Sequence, residues 1–190
     1  MTRTALFFGS FNPIHLGHIA IVRHLLESGL CDELWLVVSP GNPLKEPSVL
    51  VDADRRLEMT RLAVDAAGLG GKVRVSDVEF AMPRPSYTID TLERLERDHP
   101  DREFMLLAGS DITGQLEQWK DYRKLLDRYT ILIYPRPGYP VVKFADRVVV
   151  LEDAPQSECS STRARGGAEQ MLQPEVKNYI KTHKLWTESK

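Results

Sequence analysis

The feature of this sequence that most limits its fold is an alternation of short apolar segments with longer amphipathic ones. Such an alternation is typical of βαβ units, which build a mostly parallel sheet. The segments predicted as strands are residues 4–8, 34–38, 73–78, 104–108, 130–134 and 148–151. Residues 17–26 are predicted as the first helix, because Ile19, Val22 and Leu26 recur on one face. The pattern therefore predicts an α/β fold, Rossmann-like and doubly wound, with a mostly parallel sheet and helices on both faces.

Single residues predict where several helices begin and end. Gly29 is expected to end the first helix, because glycine readily takes the left-handed conformation found after helices. Asp52 or Asp54 is expected to cap the helix after the second strand, and Ser86 or Thr88 the helix after the third. The C-terminal segment is predicted to close the fold with one or two helices.

Length and composition are those of an ordinary globular protein with a single domain, residues 1–190. The formal net charge of −2 argues against a nucleic-acid polymer as partner, and no apolar stretch suggests a membrane span. Cys31 and Cys159 lie far apart without metal-ligand spacing, and both are expected to be small buried side chains. With no recognisable secretory signal, these features predict a cytoplasmic protein.

Two glycine turns follow predicted strands that should be neighbours. Gly9 follows the first strand in GSFNP, and Gly109 follows the fourth in GSD. In an open sheet of this type, ligands bind beyond the carboxyl ends of the strands, at the point where the winding direction reverses. We therefore expect both turns to line one crevice.

The stretch GSFNPIHLGH, residues 9–18, places two histidines at the start of the first helix. The N–H groups and dipole of a helix N terminus form a ready anion site. His15 and His18, with Gly17 leaving room between them, are expected to point at one phosphate. A structural role is the plain alternative, and a zinc pair is disfavoured because no cysteine or glutamate lies at ligand spacing.

A second candidate anion site is SSTRAR, residues 160–165. The hydroxyls of Ser160, Ser161 and Thr162 can cap a short helix, and Arg165 returns one turn later with a guanidinium fork suited to phosphate. Taken alone, this stretch favours an ordinary helix start.

The two motifs together resemble the HxGH and SSTxxR signatures of the nucleotidyltransferase superfamily. Across nearly the whole chain, the order of motifs is similar to that of the bacterial nicotinate-nucleotide adenylyltransferases. The matching pieces are GSFNPIHLGH, NPLKEP with Lys45, PSYTIDTL at 85–92, GSD at 109–111, Trp119, PRPGY at 135–139, SSTRAR and VKNYIKTHKLW. PSYTIDTL and PRPGY discriminate most, because the HxGH pair is common to the superfamily.

The resemblance implies a fold of the HxGH nucleotidyltransferase type and a reaction that belongs to NAD biosynthesis. ATP and nicotinate mononucleotide would give nicotinate adenine dinucleotide and pyrophosphate, with Mg²⁺ entering with ATP and no metal held by protein ligands alone. The residues implied to stabilise charge are His15, His18, Lys45 and Arg165. Those implied to contact ATP are Gly9, Ser10, Phe11, Gly17, Gly109, Asp111, Ser160, Ser161 and Thr162. Those implied to contact the mononucleotide are Tyr87, Thr88, Trp119 and Arg136.

Three positions depart from the family pattern. Ser10 and Asn12 stand where many members carry threonine and aspartate, and Lys45 lacks the PPH context often seen before it. The alternatives are an adenylyltransferase acting on nicotinamide mononucleotide or phosphopantetheine, or a nucleotide-binding sensor without turnover. A sensor would be expected to lose its charged phosphate contacts, which are kept here. The sequence leaves open the choice between acid and amide and the oligomeric state.

Overall fold

The computed structural model describes residues 1–41 and 50–186, and within them six strands form one sheet in the order β3-β2-β1-β4-β5-β6. Every neighbouring pair of strands is parallel. The strands are β1 (Thr2–Gly9), β2 (Glu33–Val38), β3 (Val73–Ser76), β4 (Arg102–Gly109), β5 (Thr130–Tyr134) and β6 (Val149–Val150). The helices are α1 (Leu16–Ser28), α2 (Ala53–Ala66), α3 (Thr88–Asp98), α4 (Tyr122–Arg128), α5 (Ser161–Arg165) and α6 (Pro174–Thr182).

The central strand β1 is buried on both faces, as expected for a parallel sheet covered by helices. Its residues Ala5 and Phe7 belong to the core shared with α1, α2 and α6. Leu6, between them, belongs to the core shared with α3 and α4. The alternation of side chains along one strand therefore divides the molecule into two layers of helices, which confirms the predicted architecture.

The strand order places the reversal of winding between β1 and β4. These two strands pair in register from Thr2 opposite Arg102 to Phe7 opposite Leu107. Their carboxyl ends, with the turns that begin at Gly9 and Gly109, are therefore adjacent. This confirms that both glycine turns lie at the edge of the sheet where ligands bind in such folds.

Several predicted boundaries move in the structure. The third strand ends at Ser76, because residues Val78–Ala81 form a 3₁₀ turn, and the last strand is reduced to Val149–Val150. The polar segment between β4 and Trp119 forms two 3₁₀ turns, Ser110–Ile112 and Leu116–Gln118. The terminator Gly29 is confirmed, with φ of 72°.

The cap position of α2 is confirmed without the expected capping bond, and the predicted cap of α3 is wrong. Asp52 occupies the cap position of α2, but its side chain makes no capping hydrogen bond within the described residues. Tyr87 rather than Ser86 or Thr88 occupies the cap position of α3, because the Ser86 hydroxyl donates to Glu79 instead. Cys159 is only half-buried, unlike Cys31.

None of the helices in residues 1–41 and 50–186 is long and apolar enough to cross a bilayer.

Candidate active site

A cleft of about 580 Å³ opens at the carboxyl ends of β1 and β4. Many of the residues singled out from the sequence line it: Gly9, Ser10, Phe11, His18, Tyr87, Thr88, Gly109, Asp111, Trp119, Arg136 and Ser161. Five more of them lie on α1, α5 and their cap positions: His15, Gly17, Ser160, Thr162 and Arg165. Lys45 lies outside the described residues.

The turn after β1 is shaped by a buried aromatic ring. Phe11 is 2% exposed and takes a left-handed backbone conformation with φ of 42°. A Cβ atom at Gly9 would lie 2.8 Å from Cζ of this ring, closer than real contacts allow. Glycine at this position therefore lets the turn fold back over Phe11 and leaves the backbone open toward the cleft.

His15 and His18 cap the start of α1 for each other. The His18 backbone N–H donates to Nδ1 of His15 over 3.4 Å, and the His15 backbone N–H donates to Nδ1 of His18 over 3.2 Å. The two rings stack with their centroids 3.6 Å apart. This is the reciprocal pattern of a capping box, made here by two imidazoles.

The capping box fixes which nitrogen of each ring carries the proton. A neutral imidazole that accepts at Nδ1 is protonated at Nε2, so both rings present an Nε2–H donor. Burial, aided by the positive charge of Arg136, lowers the pKa of His15 to about 4. His15 is therefore neutral at physiological pH and acts as a hydrogen-bond donor rather than as a cation.

The space beside Gly17 is filled by the chain rather than left open. A Cβ atom there would lie 2.9 Å from Ser157 Oγ and 3.0 Å from Cys159 Cβ. Gly17 thus lets the segment before α5 pack closely against the start of α1. A direct contact of Gly17 with ATP stays a prediction.

The SSTRAR motif lies directly against the turn after β1. Ser160 caps α5 by accepting the Arg163 N–H at 3.1 Å, as predicted. Ser161 Oγ donates to the Pro13 carbonyl at 2.8 Å, and Arg165 Nη1 donates to the Asn12 carbonyl at 2.6 Å. These two bonds join the motifs across about 150 residues of sequence.

The turn after β4 carries an ion pair at the rim of the cleft. Arg136 Nη1 donates to Asp111 Oδ2 at 2.8 Å, and the Arg136 backbone N–H donates to Ser110 Oγ at the same distance. A Cβ atom at Gly109 would lie 2.5 Å from Asp111 Oδ1 and 2.6 Å from Arg136 Cδ. Glycine at position 109 therefore leaves room for Asp111 and Arg136 to pair in this arrangement.

The other end of the cleft is formed by aromatic side chains and the start of α3. Tyr87, 40% exposed, and the half-buried Trp119 both line it. The side chain of Tyr87, the cap residue, makes no capping hydrogen bond to α3. The N–H groups of the first turn of a helix have no intrahelical acceptor. This end of the cleft can therefore hold a flat ring and supply donors to a negatively charged substituent.

Glu79 is one functional residue that the motifs did not reveal. Its carboxyl is 2% exposed and accepts hydrogen bonds from Ser86 Oγ at 3.0 Å and Thr91 Oγ1 at 2.9 Å. Burial raises the pKa of this carboxyl, and the hydroxyl donors oppose the shift. Glu79 thereby fixes the two residues that flank the start of α3.

Arg56 is the second residue that sequence reasoning missed. It is fully buried, and its guanidinium donates to the carbonyls of Val51 at 2.7 Å, Ser10 at 2.6 Å, Ser39 at 2.7 Å and Pro40 at 3.0 Å. Burial lowers its pKa to about 10, so it stays charged at neutral pH. The only signal in the sequence is an arginine among the apolar positions of α2.

Protein ligands for a metal ion are sparse in this region. Among residues 1–41 and 50–186, no three His, Cys, Asp or Glu side chains cluster closely enough to hold one. Asn12 accepts the Val51 N–H through Oδ1 at 3.2 Å. Its amide oxygen therefore joins the turn to Val51, just before the cap residue of α2.

Similarity to known proteins assigns the chain to a family. Residues 6–167 match the family described as Cytidylyltransferase-like, so the chain belongs to this class of nucleotidyltransferases. A protein of Flavobacterium johnsoniae described as a probable nicotinate-nucleotide adenylyltransferase is 39% identical over 188 residues, which are 94% of this chain and 95% of that protein. A protein of Bacteroides fragilis with the same description is 43% identical over 165 residues, 86% of this chain and 81% of that protein. Within the class, the chain belongs to the nicotinate-nucleotide adenylyltransferase family.

A solved structure gives the same fold. Nicotinic acid mononucleotide adenylyltransferase of Plasmodium falciparum, complexed with NaAD, superposes with a TM-score of 0.82 at 19% identity, covering 98% of each chain. This likeness confirms the Rossmann-like architecture.

Protonation of His15 is expected to destabilise the fold. Its pKa is about 4 when folded and 6.5 in its ordinary state, so the unfolded chain binds more protons between these values. The free energy of unfolding should thus fall by about 3 kcal/mol as the pH drops from about 6.5 to about 4. His15→Asn keeps a side-chain oxygen for the His18 N–H and does not titrate. In urea unfolding, this variant should lose less free energy of unfolding in acid than the wild-type protein. Equal losses would contradict the lowered pKa of His15.

Removal of the Arg56 guanidinium is expected to cost about 3 to 5 kcal/mol of unfolding free energy, because buried carbonyls lose their donors. Arg56→Met is the test and Arg61→Met is the matched control, since Arg61 is exposed on the same helix. Denaturant titration should show a large loss of unfolding free energy for Arg56→Met. The loss for Arg61→Met should be less than about 0.5 kcal/mol. Similar shifts for both variants would refute a central role for Arg56.

Proposed function

We propose that this protein transfers the adenylyl group of ATP to nicotinate mononucleotide, forming nicotinate adenine dinucleotide and pyrophosphate in NAD biosynthesis. The observation that carries the proposal is the capping box of His15 and His18, which aims two neutral Nε2–H donors from the start of α1. Membership of the nicotinate-nucleotide adenylyltransferase family supports the choice of substrates.

The chemistry requires positioning rather than proton abstraction. The phosphate of the mononucleotide is ionised at neutral pH and attacks the α-phosphorus of ATP, while pyrophosphate leaves with the electrons of the broken P–O bond. Phosphoryl transfer of this kind depends on alignment and on stabilisation of charge at the transferring group. In our proposal His15, His18, Lys45 and Arg165 stabilise that charge.

The triphosphate would lie where the two sequence motifs meet. The N terminus of α1 and both imidazoles provide donors there, and the turn at Gly9 to Phe11 supplies open backbone beside them. Arg165 is held by Asn12 and Thr162, so its fork is oriented before ATP arrives. The start of α5 would add the hydroxyls of Ser160, Ser161 and Thr162. The opposite rim, toward the nucleoside, would be formed by Gly109 and Asp111.

The mononucleotide would occupy the aromatic end of the cleft. Trp119 offers a face on which the pyridine ring can stack, and Tyr87 and Thr88 stand at the start of α3. The uncapped N–H groups of this turn suit a carboxylate better than an amide, which favours nicotinate mononucleotide over its amide analogue. Arg136 would bind the phosphate of the mononucleotide in place of its present partner, Asp111.

Mg²⁺ would reach the site on the phosphates of ATP, where it neutralises their charge. The sparse protein ligands fit an ion that keeps waters and substrate oxygens in its shell. The proposal also includes a single domain over residues 1–190, small molecules as the only substrates and a cytoplasmic location.

Release of pyrophosphate is the direct test of the activity. The protein is incubated with Mg-ATP and, in separate reactions, with nicotinate mononucleotide, nicotinamide mononucleotide and phosphopantetheine. We expect turnover with the nicotinate compound above all. Lack of release with every acceptor would favour a sensor without turnover, and a clear preference for the amide would overturn the substrate.

Loss of the His18 imidazole should reduce kcat by about a thousandfold, the usual cost of one preorganised donor. His18→Gln is the sharpest variant, because glutamine at this position of a capping box can still accept the N–H of residue 15. Steady-state rates and thermal unfolding are measured together. A near-normal rate, or a rate loss matched by unfolding of the variant, would count against a role in binding phosphate.

A further inference from the structure

Lys120 stands beside the start of α3 at the aromatic end of the cleft. Its Nζ donates to both carboxylate oxygens of Asp90 at 2.8 Å, and it lies 5.1 Å from the centroid of the Tyr87 ring. Lys120 follows Trp119 directly, and together with Tyr87 and Thr88 both residues line the cleft. The side chains of Lys120 and Asp90 are 42% and 38% exposed, so the pair lies at the rim.

The position of Asp90 poses an electrostatic problem for an acidic substrate. Asp90 lies in the first turn of α3, where its negative charge is favourable to the helix dipole. The same charge opposes any second carboxylate that approaches the N–H groups of that turn. With Asp90 alone, this end of the cleft would favour a neutral substituent on the pyridine ring.

We infer that Lys120 is a specificity-determining residue, whose ammonium group cancels the charge of Asp90 and so lets this end of the cleft prefer a pyridine carboxylate over a carboxamide. This inference rests on the proposed function, since it concerns the acceptor of the adenylyl group. It assigns the choice between acid and amide to a pair of side chains in addition to the N–H groups of α3.

The other charged side chains near the aromatic end, Glu79 and Arg136, do not neutralise Asp90. Glu79 is buried and receives hydroxyl donors from Ser86 and Thr91, which occupy both of its oxygens. The guanidinium of Arg136 is paired with Asp111 at the turn after β4. Among the described residues that line the cleft, Lys120 is thus the cation placed beside the start of α3.

The size of the effect follows from the exposure of the pair. Charges at a rim are screened by water and salt. Loss of the Lys120 charge should therefore lower kcat/KM for the acid by about five- to tenfold rather than abolish it. A carboxamide carries no net charge, and its binding should change less than about twofold.

The experiment compares wild-type protein with Lys120→Met, Asp90→Asn and the double variant, and uses Lys120→Arg as the matched control. The readout is kcat/KM for nicotinate mononucleotide and for nicotinamide mononucleotide with saturating Mg-ATP, at about 20 mM and about 500 mM KCl. Thermal unfolding checks that each variant is folded.

Lys120→Met should lose about five- to tenfold in kcat/KM for the acid, with most of the loss in KM and little change for the amide. This loss should be smaller in high salt. Lys120→Arg should retain the wild-type preference for the acid over the amide, and the double variant should regain that preference. A double variant as impaired as Lys120→Met, or a loss equal for acid and amide, would overturn the inference. If the wild-type protein uses neither mononucleotide, the proposed function fails instead, so the two failures are distinguishable.

Discussion

The buried guanidinium of Arg56 is the interaction on which the site depends. An unpaired charge is costly to remove from water. Here the cost is offset by carbonyls at the start of the turn after β1, just after β2 and just before α2. Because Ser10 is one of these acceptors, the turn that carries Gly9 is fixed to the neighbouring strand. The start of α1, with His15 as its cap, is positioned by the same turn.

From this fixed turn the cleft extends toward two ends with different chemistry. At one end, Ser161 and Arg165 bring α5 onto the carbonyls of Pro13 and Asn12, in the turn that leads to the two histidines. At the other end, the uncapped start of α3 and Trp119 suit a flat acidic ring. The proposed reaction joins the ligands of these two ends, which is consistent with one continuous cleft along the carboxyl ends of β1 and β4.

The sequence predicts much of this fold because the signals are local. Runs such as LWLVV in β2 are apolar throughout, and only a strand buried on both faces accommodates them. A common role for HLGH and SSTRAR was implied by the resemblance to the nucleotidyltransferase superfamily. The roles of Arg56 and Glu79 were not, since each depends on acceptors or donors supplied by distant turns. The same reason explains the missed cap at Tyr87, where Ser86 binds Glu79 rather than the helix. Lys45 lies outside the described residues, and its role stays a prediction.

The central claim is that His15 and His18 act as neutral Nε2–H donors to the phosphates of ATP. Long-range ¹H–¹⁵N correlation spectra of protein labelled with ¹⁵N-histidine test it directly, recorded with and without a non-hydrolysable ATP analogue and Mg²⁺. The account predicts that both rings are protonated at Nε2 alone in the free protein, and that both Nε2 resonances shift when the analogue binds. Protonation at Nδ1, or spectra of these two rings that do not change with the analogue, would contradict it.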